Sequence, residues 1–340
     1  MDTVAADRNT YRRVGVTPSD ECVMTVAIYI STMRSDYRLA KALIASIEAH
    51  LRSPLIYVIP DDDYPGDEMF GHPVWRPSDP RVLELDRYYK KLRVFWGPAE
   101  RFMHMDADQL VLRNLQPYLD AVAAAAGPFV MANRRSSTTK KLEAADESAR
   151  KRAFESMTGD VAALASFDPA FDWREGHLLN SGEFSASRNA IDRDTFLAVF
   201  TKAKRFYAEH GMGPMTGMRA GPFYTDQGFL SYFLAAHAPG TRVEWLDDLY
   251  AWGGRDELTR YRDDDHTDPL KWVAVHWAGC PRPGPIFLPG RAVCAAQWRR
   301  EHRRYCRLRG DWSGYVQDCL QDAGVLAWQA GSRLKRRLTG

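Results

Sequence analysis

Two carboxylates beside a short apolar stretch could hold a metal ion. In RFMHMDADQLVL, residues 101–112, Asp106 and Asp108 lie two positions apart between FMHM and LVL. Residues i and i+2 of an extended strand project from the same face, so the two carboxylates should point together if the strand continues through them. Adjacent carboxylates repel, and burying them is costly without a cation between them. A hard divalent cation therefore fits the pair, and a solvated strand end is the plainer alternative.

The elements around this pair predict an α/β fold. VMTVAIYI (Val23 to Ile30) and PLIYVIP (Pro54 to Pro60) are typical of buried strands, and RLAKALIASIEAHL between them has apolar residues at helical spacing. A strand–helix–strand opening favours a parallel sheet. RFMHMD is predicted as a further strand of this sheet, so the carboxylates fall at its carboxyl edge, where open α/β sheets bind ligands.

The remaining pattern continues the alternation of helices and strands. LDRYYKKLRVFW, RDTFLAVFTKAKRFYAEH and a segment starting at Thr225 or Asp226 predict helices. QLVLRNLQPYLD predicts a short strand and a turn, while PFVMAN, HLLNSGEFSAS, RVEWL and WVAVHWAG predict strands. Residues Arg134 to about Glu175 are polar with one helical stretch, which indicates an insertion or a mobile segment.

Composition excludes several classes of protein. The 340 residues are 45% apolar and 26% charged, as in ordinary globular proteins, and a net charge of +2 gives no reason to expect a nucleic-acid partner. Five cysteines without CxxC spacing argue against a disulfide framework or a zinc site and suit a reducing compartment. No signal peptide or apolar membrane span is recognisable, so a cytoplasmic location is expected.

Four motifs in order resemble a known family. KLRVFWGPAERFMHMDADQLVLRNL resembles the central block of family 8 glycosyltransferases, the retaining enzymes with a GT-A fold, and especially the glycogenin-type T-K-L-x-x-W and M-D-A-D-x-L-V-L pattern. LLNSGEF resembles the F-N-S-G-V-F strand, TDQGFLSYF the G-D-Q-G-L-L-N helix start, and VHWAGCPRP the V-H-F-x-G-x-x-K-P segment. The resemblance spans roughly residues 23–285 with one large gap. It implies a Rossmann-like, mixed and mostly parallel sheet flanked by helices.

The resemblance implies a metal site and a nucleoside-diphosphate sugar donor, with UDP-sugar favoured. Its ligands for Mn²⁺, or Mg²⁺, would be Asp106, Asp108 and His276, although a histidine between Val275 and Trp277 could also belong to the core. Two carboxylates and an imidazole suit Mn²⁺ chemically.

Further positions are implied to bind the donor nucleotide. Arg282 replaces the family's lysine at the departing phosphate, and Lys91 would lie near the sugar and phosphates, unless Lys90 takes that place or both are exposed on a helix. The other donor-binding positions implied by the motifs are Thr32, Tyr37, Ala107 and Gly279.

Three polar residues match those around the donor sugar and the reacting carbon. Asn180, Asp226 and Gln227, together with Lys91, are the implied catalytic residues. Asp226 could instead simply cap its helix. Glutamine is a poor nucleophile, which fits a front-face substitution better than a double displacement through a carboxylate, and the sequence leaves both open.

The chain ends in a basic region. The predicted organisation is a flexible N-terminus (1–20), a glycosyltransferase domain (21–288, with the insertion at about 134–175) and a basic helical extension (289–340). The extension could contact an anionic membrane peripherally, or it could be a solvated face whose arginine stems cover apolar surface.

Two other functions compete with a metal-dependent hexosyltransferase. A phosphatase of the haloacid-dehalogenase type also uses DxD after a strand, but QLVL here lacks the small hydroxyl residue that follows its second aspartate. A scaffold that kept the fold and lost catalysis would have no need of the three metal ligands.

The motifs specify neither the donor sugar nor the acceptor, which could be a glycan, a lipid-linked sugar, a protein or a small molecule. They also leave self-glycosylation and oligomeric state open.

Overall fold

A six-stranded sheet forms the centre of the protein. The computed structural model describes residues 26–133, 146–177, 179–212, 215, 221–245, 250–252, 273–276 and 292–320, and the single positions 323 and 327. The strands lie in the spatial order β2 (Ile56–Ile59), β1 (Val26–Ser31), β5 (Arg101–Asp106), β8 (Asn180–Ser187), β7 (Phe129–Asn133) and β9 (Arg242–Trp245). Strand β8 is antiparallel to both neighbours, whereas the other pairs in the sheet are parallel. The sheet is therefore mixed and mostly parallel, as predicted.

Two smaller sheets flank the central one. Strands β6 (Gln109–Val111), β11 (Ala274–His276) and β10 (Tyr250–Trp252) form a three-stranded sheet in which β11 is antiparallel to β6 and parallel to β10. Strands β3 (Glu68–Met69) and β4 (His72–Pro73) form a short antiparallel pair.

Helices cover both faces of the central sheet. They are α1 (Tyr37–His50), α2 (Pro80–Leu83), a 3₁₀ helix (Arg87–Trp96), α3 (Gln116–Ala124), α4 (Glu147–Met157), α5 (Val161–Phe167), α6 (Arg193–Glu209), α7 (Asp226–Ala236) and α8 (Ala292–Arg309). Residues 312–320 are also helical. The strand RFMHMD and the helix start at Asp226 are confirmed. The short strand predicted in QLVLRNLQPYLD is confirmed as β6, but the segment ends in helix α3 from Gln116 onward, where Tyr118 and Leu119 are buried.

Alternation along β5 divides the core into two clusters. Met103 and Met105 pack with α1 and α3, while Phe102 packs against Phe184 and the aromatic residues of the 3₁₀ helix, α6 and α7. Successive side chains of a strand point to opposite faces, so one apolar strand supplies both clusters.

The described part of the predicted insertion packs into the core. Residues 146–177 contain α4 and α5, whose Phe154, Leu164 and Phe167 pack in the aromatic cluster, and Met157 is also buried. Each helix begins with an aspartate whose carboxylate accepts a hydrogen bond from a first-turn amide. This part of the chain is therefore a structural layer, and residues 134–145 lie outside the described residues.

The C-terminal helices dock on α1 through a buried ionic cluster. One face of α8 buries Trp298, His302, Tyr305 and Cys306 in the core. Asp318, in the helix at 312–320, is fully buried, with its Oδ2 atom 2.5 Å from Nδ1 of His302 and its Oδ1 atom accepting a hydrogen bond from Arg38. His302 and Arg38 lower the pKa of Asp318 although burial alone would raise it.

Replacing Asp318 with alanine should destabilise the protein by about 3–5 kcal/mol, because Arg38 and His302 would lose a buried partner. Chemical unfolding in urea measures the change. Asp172→Ala is the matched control, since Asp172 pairs with Arg174 on the surface, where water screens the two charges and the pair contributes little to stability. Equal effects of the two substitutions would contradict the structural role of Asp318.

Candidate functional site

The two aspartates of DAD lie on a tight turn between two sheets. Strand β5 ends at Asp106, Ala107 and Asp108 form the turn, and β6 begins at Gln109. One strand does not continue through both aspartates, so the condition for the two carboxylates to share a strand face is not met. The turn brings them together instead, because the chain leaves the central sheet between them.

Strand β11 places His276 beside this turn. Its antiparallel register pairs His276 with Gln109, the residue that follows Asp108. The imidazole is buried, with Nε2 3.2 Å from Oδ1 of Asp108 and 3.9 Å from Oδ2 of Asp106. One potential ligand atom from each of the three residues lies within 4.8 Å of the others, as the metal-site prediction requires.

Gly182 provides the space for the imidazole. A Cβ atom at this position would lie 2.0 Å from Cε1 of His276 and 2.7 Å from its Nδ1 atom. The side chain of Gln109 spans the same gap and donates a 2.5 Å hydrogen bond from Nε2 to the carbonyl of Gly182. Because β8 is antiparallel to β5, its first residues lie at the carboxyl end of β5, next to the aspartates. Gly182, the glycine of the NSG motif, thus leaves the space that the His276 imidazole fills, and we call this space the imidazole slot.

A buried lysine connects the aspartates to α7. The Nζ atom of Lys91 lies 2.9 Å from Oδ2 of Asp106 and 3.2 Å from Oδ2 of Asp226. Asp226 also accepts a 2.5 Å hydrogen bond from the Ser181 hydroxyl. The expectation that Lys90 and Lys91 could both be exposed on a helix is wrong, because the 3₁₀ helix buries both.

Burial and charge shift the pKa values of this cluster. Burial raises the pKa of Asp106; Lys91 opposes the shift and Asp108 adds to it. Burial alone would lower the pKa of Lys91, but Asp106 and Asp226 raise it above its usual value, so the ammonium stays charged. Burial and the nearby Lys91 hold the pKa of His104 well below its usual value. His104 is therefore a neutral imidazole, which donates to or accepts from the Ser31 hydroxyl at 3.0 Å.

The loop after β1 carries the predicted nucleotide-binding residues. Thr32 is buried, and its carbonyl accepts a 2.5 Å hydrogen bond from Lys90, whose Nζ atom also lies 3.4 Å from Asp61. Tyr37 begins α1 and packs edge-on against Phe70, with ring centroids 5.5 Å apart. Burial, and then the negative Asp61, raise the pKa of Tyr37. Lys90 therefore contacts the loop after β1 and Lys91 contacts Asp106 at the DAD turn, two neighbouring parts of one edge of the sheet.

The start of α7 contacts the C-terminal end of α4. The side chain of Asp226 contacts Lys91 and Ser181 rather than capping its own helix, and the N-cap residue is Thr225. Gln227 donates a 3.1 Å hydrogen bond from Nε2 to the carbonyl of Met157, the last residue of α4. A Cβ atom at Gly228 would lie 1.9 Å from the carbonyl oxygen of Thr158, so close approach of two backbones requires glycine here.

The remaining predicted residues are only partly described. Asn180 is the first residue of β8 and pairs in register with Asn133, which places its backbone at the same edge of the sheet. Gly279 and Arg282 lie outside the described residues. Ser181 and Gln109 were not predicted as functional residues from the sequence. Ser181 lies inside the quoted NSG motif and could have been named, whereas Gln109 directly follows the DAD turn but belongs to an apolar strand that gave no polar signal.

Comparisons with known proteins support the fold. No protein-family model matches the sequence, and no curated protein matches it. The solved structure of the glycosyltransferase GlyE from Streptococcus pneumoniae TIGR4 is similar with a TM-score of 0.50 and 13% identity, over 82% of this chain and 61% of that chain. This chain therefore spans less than two thirds of GlyE.

Two further solved structures are similar at lower scores. The galactosyltransferase LgtC, solved in complex with donor and acceptor sugar analogues, has a TM-score of 0.49 and 12% identity over 82% of this chain and 95% of that chain. The bifunctional glycosyltransferase WbbM has a TM-score of 0.47 and 14% identity over 85% of this chain and 51% of that chain.

This chain has the GT-A fold. The mixed, mostly parallel sheet, the flanking helices and the match to GlyE agree on this point. The DAD turn, the start of β8 and the start of α7 all meet at one edge of that sheet.

Gly182→Ala should displace His276 and weaken Mn²⁺ binding by roughly 10–100-fold, since loss of a residue that positions a ligand has effects of this size. Electron paramagnetic resonance of unbound Mn²⁺ measures the affinity, and urea unfolding tests whether the protein stays folded. Gly127→Ala is the control, because no atom lies within 4 Å of its added Cβ. Unchanged Mn²⁺ affinity of a folded Gly182→Ala protein would contradict the role of Gly182 in positioning His276.

On the opposite face of β8, Glu183 is a buried carboxyl group beneath α3. It accepts a 2.9 Å hydrogen bond from the Tyr118 hydroxyl, and burial raises the pKa of Glu183 to about 8. The folded protein therefore holds a proton that the unfolded chain releases near its ordinary pKa. The resulting stability is fully present below that ordinary value and is lost as pH rises through about 8.

Glu183→Gln should remove this pH dependence while keeping the oxygen that accepts from Tyr118. Between about pH 5 and pH 8 the free energy of unfolding of the unmodified protein should fall relative to the variant, by at most about 1.4 kcal/mol per pH unit. Urea unfolding at several pH values measures the difference. Parallel curves for the two proteins would show that Glu183 does not titrate in this way.

Proposed function

We propose that the protein is a metal-dependent, retaining glycosyltransferase of the family 8 type, which transfers a hexosyl unit from a UDP-sugar. The observation that carries the proposal is the convergence of Asp106, Asp108 and His276 at the edge of a GT-A sheet. That convergence joins two motifs separated by about 170 residues of chain, a spacing that follows from their positions in the sequence.

The three side chains fit a divalent cation. Two carboxylates and one imidazole are the donor set that Mn²⁺ accepts, and Mg²⁺ is compatible with the carboxylates. A cation bound by these residues would supply Lewis-acid stabilisation of the negative charge on the departing nucleoside diphosphate. Gly182 and Gln109 hold the site in shape by fixing the position of the imidazole and of the strand beside it.

Lys91 would organise the site around the donor phosphates and sugar. It is buried and charged, and it contacts the Asp106 and Asp226 carboxylates at once. A fixed ammonium in a buried site stabilises developing negative charge without reorganisation during the reaction. On the nucleotide side, Thr32 and Tyr37 lie on the loop after β1 and at the start of α1, where they would bind the base and ribose, and Ala107 would line the turn.

The residues at the start of α7 would face the sugar. Lys91 and Ser181 both contact Oδ2 of Asp226, and in the proposed complex this carboxylate would accept hydrogen bonds from sugar hydroxyls. The carbonyl of Met157 fixes the amide of Gln227, and an amide is a poor nucleophile. We therefore favour front-face substitution, in which the amide oxygen stabilises positive charge at the anomeric carbon and the configuration is retained. Asn180, Gly279 and Arg282 would complete the donor site.

In a thermal-shift assay, UDP should raise the melting temperature in the presence of Mn²⁺ and not in the presence of a chelator. A ligand that binds only the folded state stabilises it by mass action. Asp108→Asn should abolish the Mn²⁺-dependent shift and lower the rate of donor-sugar release by at least about a hundredfold, because a direct ligand matters more than the 10–100-fold of its supporting residues.

Asp120→Asn is the control, since Asp120 is exposed on α3. A shift with GDP, ADP or CDP in place of UDP would retain the metal site and change the donor. Nucleotide binding without sugar release would favour a scaffold that has lost catalysis. No shift with any nucleotide, or full activity of Asp108→Asn, would refute the proposed function.

A further inference from the structure

The helix at 312–320 turns a row of apolar side chains outward. Trp312, Val316 and Leu320 are spaced four residues apart, so they share one face of the helix. They are 63%, 53% and 68% exposed, and Leu308 at the end of α8 is 63% exposed. Asp318, on the other face, is buried against His302 and Arg38. The helix is therefore anchored by a polar residue and presents its apolar residues to the surroundings, the reverse of an ordinary surface helix.

This concentration of exposed apolar residues is unusual for the chain. In the described part of the protein, only two other large hydrophobic side chains are classed as exposed, Leu83 at 40% and Tyr88 at 47%. Single exposed apolar residues need no explanation, whereas a contiguous row on a docked helix indicates a partner. We call Leu308, Trp312, Val316 and Leu320 the apolar row.

Basic side chains accompany the apolar row. Arg300, Arg304 and Leu308 recur every four residues and so share one face of α8, and the side chains of the two arginines are 67% and 38% exposed. The nearby acidic residue Glu301 is buried and lies within 4 Å of both arginines, at 3.2 Å and 3.7 Å. Arg307 is also exposed. The sequence after residue 322 contains four basic residues and no acidic one, so positive charge dominates this end of the chain.

We propose that the apolar row and its arginines form a binding surface for an anionic phospholipid membrane. The apolar side chains would enter the boundary between headgroups and acyl chains, and the arginines would bind the lipid phosphates. Trp312 suits this boundary because its ring is large and apolar and its N–H group can meet water or headgroups. No helix in the described part of the chain is long and apolar enough to cross a membrane.

The charge and size of the surface favour lipid over a second copy of this protein or a different protein partner. In a two-fold symmetric contact with a second copy, the same basic patch would face itself, and like charges would repel. A stable protein partner needs roughly 800 Å² on each side. The three helical side chains span about 12 Å of one helix face, which is a narrow contact for a protein but sufficient for shallow insertion into lipid.

Co-sedimentation of the full-length protein with lipid vesicles tests the proposal. The protein should bind vesicles of phosphatidylcholine containing about 30% phosphatidylglycerol, bind pure phosphatidylcholine weakly, and lose binding as salt is raised. The triple substitution Trp312→Gln, Val316→Gln and Leu320→Gln should weaken binding by about tenfold or more. Arg300→Gln with Arg307→Gln should weaken binding at low salt and reduce its salt dependence.

Leu83→Gln with Tyr88→Gln is the matched control, because it removes the comparably exposed apolar residues elsewhere and should leave vesicle binding unchanged. Absence of binding by the unmodified protein, binding by the triple variant at the original strength, or equal loss in the control would overturn the proposal. So would a dimer that the triple substitution dissociates, which would assign the row to a second copy. A lower free energy of unfolding of the triple variant would show that the chain itself covers the row. The assay measures no sugar transfer, so its outcome is independent of the proposed function.

Discussion

The arrangement of the site follows from the need to bury several carboxylates together. Asp106, Asp108 and Asp226 converge at one sheet edge, and Lys91 contacts two of them. One ammonium against three carboxylates leaves two negative charges within this cluster, which equals the charge of a divalent cation. A buried excess of charge is costly, so a cation bound there would stabilise the folded site as well as assist departure of a diphosphate. The metal proposal thus rests on charge balance as well as on the positions of the ligands.

The topology of the sheets brings these distant residues to one place. Strand β8 runs against its neighbours, so its first residues, rather than its last, meet the carboxyl end of β5. The chain leaves the central sheet at the DAD turn, and β6 can then pair with β11 and bring His276 to Asp108. Gly182 allows β8 to approach His276 on β11, because any larger side chain at residue 182 would overlap the imidazole. The antiparallel direction of β8 and the exit of the chain from the central sheet after β5 therefore bring the site residues together.

The sequence predicted the elements better than their contacts. RFMHMD, PFVMAN and the helix from Asp226 carry local hydrophobic patterns, and the structure has all three, with the strand in PFVMAN beginning at Phe129. The burial of Lys90 and Lys91 could not be read from their own segment, because their partners lie in other strands and loops. The separate strands predicted for RFMHMD and QLVL left Ala107 and Asp108 between them, but the sequence did not show that the second strand joins a different sheet. The resemblance to family 8 glycosyltransferases implied the candidate metal ligands, while long-range strand pairing determines how they are brought together.

The hydrogen bond between Gln227 and Met157 joins the candidate site to the part of the chain that the sequence marked as an insertion. The partners are 70 residues apart, and α4, which ends at Met157, is fixed in turn by Phe154 in the aromatic core. The backbones of Thr158 and Gly228 approach so closely that a Cβ atom at residue 228 would overlap the Thr158 carbonyl oxygen. The position of the Gln227 amide is therefore set by core packing behind it. In a front-face substitution that amide would lie near the anomeric carbon, so a segment that contributes none of the predicted donor-binding residues would still control the geometry of the reacting centre.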